Sequence, residues 1–296
     1  MFENPFRCRG NWYRANLHAH TTDTDGDLAP ADTAEFYRRA GYHILAITDH
    51  WLVTEFASER DDFLVIPGAE LGGDRARQGA GYHVVGLDLH ARGRLARPAV
   101  PTAQELVDII RADGGEAIIA HPYWSGLAAE EIAALAGCLA IEVYNTSCDL
   151  ENARGCSATH WDDLLSLGHD LGALAVDDGH HSAVDHGRAW IMIRAESLTV
   201  EAVMEALRRG RYYASTGPEI RDLRIGDDRI RVTTSPVQSI AMVSAPTIGA
   251  RAFGRRGQDL TRAEFPLPAA RYCRIQAMTR DGKTAWSHPV LLVGPP

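Results

Sequence analysis

Between Asn16 and Gly26 the chain reads Asn-Leu-His-Ala-His-Thr-Thr-Asp-Thr-Asp-Gly, with His18 and His20 one residue apart and Asp25 five residues beyond the second. In an extended strand residues i and i+2 point to the same side. Two imidazoles can therefore converge on one cation while the following turn swings a carboxylate toward it. The pattern recurs. Short apolar runs end in His50, in Glu70, in His121 and in Asp178-Gly-His180, and one further run, Gly-Tyr-His-Val-Val-Gly-Leu, carries His83 at its head. The candidate ligands are thus His18, His20, Asp25, His50, Glu70, His83, His121, Asp178 and His180. Mixed imidazole and carboxylate donors suit zinc, manganese or iron, whereas calcium takes oxygen alone.

What must position these donors is an alternation of strands and helices. Apolar runs beginning near Ala15, Ile44, Phe63, Val84, Ala117, Ile141 and Ala173 read as about seven buried parallel strands, because runs such as Ala-Ile-Ile-Ala lack polar interleaving. Helices are predicted between them. Pro30 to Ala40 stops at Gly41, and Thr102-Ala-Gln-Glu105 is a capping box that opens a helix closed by Gly114-Gly115. Ala128 to Ala136, Trp161 to Leu167 and Leu198 to Arg209 are three more. The expected architecture is an α/β barrel of about seven strands, with most ligands at the C-terminal strand ends, where barrels build their sites. After Gly217-Pro218 the pattern changes to period-two stretches split by turns. That change predicts a small antiparallel, immunoglobulin-like β-sandwich over residues 220–296, following a barrel over residues 1–219.

Composition narrows the function. A formal charge of -9 and a single lysine, Lys283, argue against a nucleic-acid surface, which needs clustered cations. They also leave no Schiff-base lysine in the first two-thirds of the chain. Five cysteines without a C-x-x-C pair read as reduced thiols, and no apolar run reaches membrane-spanning length. A cytoplasmic protein without membrane contact, acting on a small molecule, is the expectation.

The ordered set His18-x-His20, Asp25, His50, Glu70, His83, His121 and Asp178-x-His180 resembles the PHP (polymerase and histidinol phosphatase) superfamily of metal-dependent phosphoesterases. Trp12-Tyr13-x-x-Asn16-Leu-His, Ala46-Ile-Thr-Asp-His50, Ile141-Glu-Val-Tyr-Asn145 and Arg211-Tyr-Tyr-Ala-Ser-Thr-Gly-Pro218 are similar to its carbaryl hydrolase-like branch. The resemblance spans about residues 12–218. It implies a distorted seven-stranded barrel holding two or three divalent ions. By position, His18, His20, Glu70 and Asp178 would hold one ion, and His180 would join another beside Asp25 and His50. Glu70 would bridge to a third, held by His83 and His121.

The chemistry expected of such a cluster is hydrolysis of a phosphomonoester or phosphodiester by a metal-bridging hydroxide, assisted by His180 and Asp178. The same hydroxide could cleave a carbamate, ester or amide. A reading from another class is a ligand-binding module stabilised by its metal. Substrate contacts are expected from Arg75 and Arg77 in the loop after Glu70, from Tyr123 and Trp124 as an apolar wall, and from Asn145 and Arg188. Asp49 and Asp177, each next to a ligand, are expected to orient ligands through hydrogen bonds.

Overall fold

The computed structural model describes residues 3–292, apart from 59, 78–80 and 182–183. The chain begins with β1 (Asn11–Asn16), α1 (Pro30–Arg39), β2 (Ile44–Ile47), β3 (Leu52–Val53), β4 (Leu64–Arg75), β5 (Gly81–Leu87) and β6 (Gly93–Arg94). Next come α2 (Ala103–Ala112), β7 (Glu116–Ile119), α3 (Pro122–Ser125), α4 (Ala129–Ala133), β8 (Cys138–Asn145), α5 (Thr146–Asn152) and α6 (Ala158–Leu167). The first part closes with β9 (Gly172–Val176), β10 (Trp190–Ala195), α7 (Val200–Arg208) and β11 (Tyr212–Ser215). Helix boundaries follow their caps. Thr102 accepts from Glu105 N–H and Glu105 reaches back to it, while Thr199 accepts from Ala202 N–H, satisfying first-turn donors that would otherwise lack partners.

The result is a mixed α/β fold built on one large sheet, in which β9, β8, β7, β5, β4, β2, β1, β10 and β11 are successive neighbours. Not all are parallel. The pairs β1–β2, β2–β4, β7–β8 and β8–β9 run parallel, but β5 is antiparallel to both β4 and β7. The expectation of a uniformly parallel set is corrected here, and the reason is loop length. Only residues 76–80 separate β4 from β5, enough for a hairpin and too few for a crossover helix. The strands β10 and β11, unforeseen in the sequence, add two antiparallel members beside β1. At the ligand-bearing end, His20 N–H donates to Gly179 O and Asp178 N–H to His18 O, both at 3.0 Å, so the continuations of β1 and β9 meet in a parallel bridge.

Beyond residue 219 the strands are β12 (Ile220–Ile225), β13 (Arg229–Val237), β14 (Ser239–Ser244), β15 (Gly249–Phe253), β16 (Leu260–Pro266), β17 (Tyr272–Met278), β18 (Thr284–Ser287) and β19 (Val290–Leu291). Strands β12, β13 and β16 form a separate antiparallel sheet, while β18 pairs with β11 and so joins β14, β15 and β17 to the large sheet. A core of Ile220, Leu223, Ile230, Val232, Ile240, Met242, Phe265 and Ile275 is drawn from both sheets, and Phe6, Trp12 and Tyr213 from the first part of the chain contribute to it. The larger core lies under β1–β11 and their helices. The five cysteines are free thiols, and among the described residues no helix is long and apolar enough to cross a membrane.

Candidate metal centre

The donors meet because of where the strands end. The chain after β2 continues alongside β4, with Glu70 N–H donating to Thr48 O (3.0 Å) and Trp51 N–H to Glu70 O (2.9 Å), which sets His50 beside Glu70. The continuation of β1 lies between this segment and residues 178–179, since Thr48 N–H donates to Ala19 O. His18 and His20 therefore share one face, as their spacing requires. His83 heads β5, but β5 runs against its neighbours, so its head falls at the end where the parallel strands have their tails. Ala120 N–H donates to His83 O (3.2 Å), which brings His121 to the same place.

All nine candidate ligands are brought together. Three groups have donor atoms within 4.8 Å of one another: His20, Asp25, His50 and His180; His18, His20, Glu70 and Asp178; and Glu70, His83 and His121. His20 and Glu70 each belong to two of them. The two oxygens of Glu70 divide the histidines. Oε1 lies 2.8 Å from His83 Nδ1 and 3.1 Å from His121 Nε2, while Oε2 lies 3.2 Å from His50 Nδ1, 3.3 Å from His20 Nε2 and 3.5 Å from His18 Nε2. Asp178 Oδ1 stands 3.1 Å from both His18 Nε2 and His20 Nε2. On the open side, Asp25 Oδ2 is 3.3 Å from His50 Nε2 and 3.6 Å from His180 Nε2. His18, His20, Glu70, His121 and Asp178 are buried.

Two ligands carry left-handed backbone, His121 at φ 28° and Asp178 at φ 53°. Such conformations are costly for residues with a Cβ and persist where the surrounding structure imposes them, often at functional sites. Both lie at the abrupt change of direction after a strand.

The electrostatics favour cations. Burial opposes charge on His18, yet Asp178, Glu142 and Glu70 raise its pKa well above the ordinary value. Burial likewise opposes charge on His20, but hydrogen bonds to Asp178 and Glu70 bring it to about 9. Hydrogen bonds from His180 and His50 hold Asp25 far below the usual carboxylate range. Glu70 and Asp178 are also lowered, their burial outweighed by the surrounding imidazoles. Protons on the histidines thus neutralise a converging set of carboxylates, a role a divalent ion can take over. The donor set fits such an ion: among the described residues, His20 Nδ1 is buried without a hydrogen bond.

A carboxylate that sequence reading missed organises the centre from behind. Glu142, buried on β8, has Oε1 2.6 Å from His18 Nδ1, and its Oε2 accepts from His121 N–H (2.8 Å) and Asn145 Nδ2 (2.9 Å). Holding Nδ1 leaves Nε2 of His18 for the cluster. Its sequence signal was its place inside Ile141-Glu-Val-Tyr-Asn145, a charge in an otherwise apolar strand. Asp185 was missed as well. It is buried in an irregular segment and accepts from His180 N–H (3.0 Å), His181 N–H (3.1 Å) and His186 Nδ1 (2.8 Å), fixing the turn that carries His180.

Several expected roles are corrected. Asp49 and Asp177 bond loops, not ligand side chains. Asp49 accepts from Thr21 N–H, Thr24 and Thr54, and Asp177 from Tyr37, Thr146 and the N–H groups of residues 187–189. Both carboxylates sit just past a strand end, where they meet the N–H and hydroxyl donors of the flanking loops before any ligand side chain. Asn145 is fully buried: its Nδ2 donates to Glu142 and Asp178, and its Oδ1 caps α5 through Cys148 N–H. It positions ligands and does not face solvent. Arg75, Arg77 and Arg188 are exposed and do not line the cleft over the cluster; residues 78–80 of the loop that carries the first two lie outside the described residues. Tyr123 also turns outward, under the Arg154 guanidinium, because successive residues of a helix diverge by about 100°. Its neighbour Trp124 lines the cleft instead, with its ring edge-on to His121 at 5.1 Å.

That cleft has a volume of about 500 Å³ and opens over Asp25, His50, Glu70, His83, His121, Asp178 and His180. One wall is α5, which the sequence reading did not foresee since its seven residues, Thr-Ser-Cys-Asp-Leu-Glu-Asn, show no apolar period. His181, Val184 and Asp185 line the cleft as well.

No family model matches the chain, and no curated protein matches it in sequence. Among solved structures, it shares its fold with a two-domain protein containing a predicted PHP-like metal-dependent phosphoesterase from Bacteroides vulgatus. The TM-score is 0.55 at 12% identity, and the match covers 95% of each chain. An amidohydrolase from Chromobacterium violaceum aligns with 58% of this chain and 89% of its own, at a TM-score of 0.43 and 18% identity.

Proposed function

We propose that this chain is a metal-dependent hydrolase of the PHP superfamily, cleaving a small phosphoester at the cluster described above. The observation that carries the reading is the linkage of three donor groups through His20 and Glu70. A site built to hold a single structural ion closes four ligands around it and has no use for shared donors or an open side. We assign residues 1–219 to the hydrolase unit and residues 220–296 to an accessory β-sandwich. The fold shared over 95% of the length of a two-domain protein supports a two-part division of the chain.

Divalent ions, when bound, would supply Lewis acidity toward water and toward the substrate's oxygens. The chain contributes placement and proton transfer. Asp25, His50 and His180 form the open edge against which substrate settles, with the less accessible His18, His20 and His121 behind. Asp178 Oδ1, buried and 3.1 Å from both His18 Nε2 and His20 Nε2, is placed to assist proton transfer from the attacking water. His180, whose Nδ1–H donates to the Asp178 backbone carbonyl at 2.8 Å, presents Nε2 toward the partly open edge, where it would assist the departing oxygen. Glu142, Asn145 and Asp185 keep these groups in register.

A second reading, hydrolysis of a carbamate, ester or amide, is favoured by one observation: no Arg or Lys lines the cleft among the described residues. The test is metal analysis of the purified protein followed by a panel of p-nitrophenyl phosphate, its bis ester, p-nitrophenyl acetate and 1-naphthyl methylcarbamate. Turnover of the phosphate esters supports the first reading, and turnover of the carboxyl compounds alone selects the second. Metal that raises the melting temperature with no turnover of any ester would leave a metal-stabilised binding module.

A further inference from the structure

The cleft's outer walls specify what the departing half of the substrate can be, and they do so with side chains that the reaction does not use. Leu150 on α5 and Val184 are large apolar residues at 47% and 54% exposure, and both border the opening together with Trp124. Water-facing apolar side chains grouped at the mouth of a catalytic pocket are costly in isolation and are satisfied by an apolar ligand. Charge on this wall has one sign. Glu151 lies beside Leu150, its Oε2 accepting from Trp124 Nε1 at 2.8 Å, which holds the carboxylate at the rim and the indole in place. Against it stands no guanidinium or ammonium among the described lining residues. Arg154, three residues after Glu151 and beyond the end of α5, lies over the ring of Tyr123 instead.

We propose that the substrate's leaving group is an uncharged, predominantly apolar alcohol, aromatic or alkyl, seated between Trp124, Leu150 and Val184, and that the site discriminates against leaving groups bearing a second anion. The inference rests on the hydrolase reading and deepens it. Among the described lining residues no Arg or Lys offers positive charge away from the cluster, so an anion carried outward by the leaving group meets Glu151 unpaired. In the reaction, water adds across the scissile bond: its oxygen joins the phosphoryl or acyl centre, and its proton goes to the alcohol oxygen that departs.

The test compares two esters of nearly equal shape on the manganese-loaded full chain, phenyl phosphate and 4-carboxyphenyl phosphate, with the corresponding acetates run in parallel so that the ratio is read whichever bond is cut. The carboxylated phenol is intrinsically the better leaving group, so a slower reaction cannot come from chemistry. We expect kcat/KM for the phenyl ester to exceed that for the carboxyphenyl ester by about tenfold or more. Two exposed-site variants should narrow the ratio: E151Q by removing the opposing charge, and L150R by supplying a cation. Melting temperatures of both variants guard against misfolding. Equal or faster turnover of the carboxylated ester by the wild-type chain, or a ratio untouched by L150R, overturns the inference while leaving the hydrolase reading intact. Failure to bind metal and to cleave any ester removes the hydrolase reading and the inference with it.

Discussion

Glu142→Gln tests the organisation of the centre without touching any proposed ligand. The wild-type carboxylate presents two acceptors: Oε1 to His18 Nδ1 at 2.6 Å, and Oε2 to the donors His121 N–H and Asn145 Nδ2. A glutamine of the same shape has one acceptor and one donor, so neither orientation reproduces this. With its oxygen toward His18, its NH₂ faces two donors in a buried site, and each unsatisfied group costs about 1–3 kcal/mol. With its oxygen toward those donors, its NH₂ faces His18 Nδ1, forcing that nitrogen to accept and moving the ring proton to Nε2. Nε2 is the atom 3.1 Å from Asp178 Oδ1 and 3.5 Å from Glu70 Oε2, and a protonated nitrogen cannot ligate. Losing such a carboxylate behind a histidine ligand typically weakens metal affinity about 10–100-fold, or about 1.4–2.7 kcal/mol. The assay is competitive titration of manganese or zinc against a chelating dye, with circular dichroism to verify folding. Wild-type affinity and stoichiometry in a folded E142Q would refute the reasoning, because Glu142 would then be shown to have no hold on His18.

Asp178→Ala and His50→Ala are each expected to lose bound metal and activity together; full activity in either would remove that residue from the site. The metal-free protein should be most stable between about pH 4.5 and 6.5. His20, raised to about 9 from 6.5, contributes stability that is present below its unfolded value and lost as pH rises through 9. The lowered Asp25, Glu70 and Asp178 contribute stability lost as pH falls below the ordinary carboxylate range. A thermal-melt profile of chelated protein that stays flat from pH 6.5 to 9 would contradict this. Gly179→Ala should destabilise the chain by about 1–3 kcal/mol, because a Cβ there would fall 2.7 Å from the buried His186 ring. Urea melts measure that loss, and an unchanged midpoint would show that the ring can yield.

The donor set was legible in the sequence because metal chemistry demands particular residue types, and because strand-end placement is visible as an apolar run closed by a histidine or carboxylate. Periodicity and caps located α1, α2, α6 and α7, since Thr102 and Thr199 announce first turns wherever the rest of the chain goes. Glu142, Asn145 and Asp185 were not legible in those roles: an orienting carboxylate is defined by whose nitrogen it faces, and that depends on strand register. The arginines near Glu70 looked well placed along the chain and are exposed away from the cleft, because proximity in sequence carries no direction at a loop.

Composition and spacing therefore determined by themselves which side chains this protein could offer a cation, since those properties belong to individual residues and short segments. Tertiary structure alone decided that β5 turns back, bringing His83 to the shared end, that β11 and β18 pair across residue 219, and that Leu150 and Val184 join Trp124 around the opening. Each of these rests on pairing between segments distant in the chain, where hydrogen-bond register and burial are settled between partners that no local stretch of sequence contains.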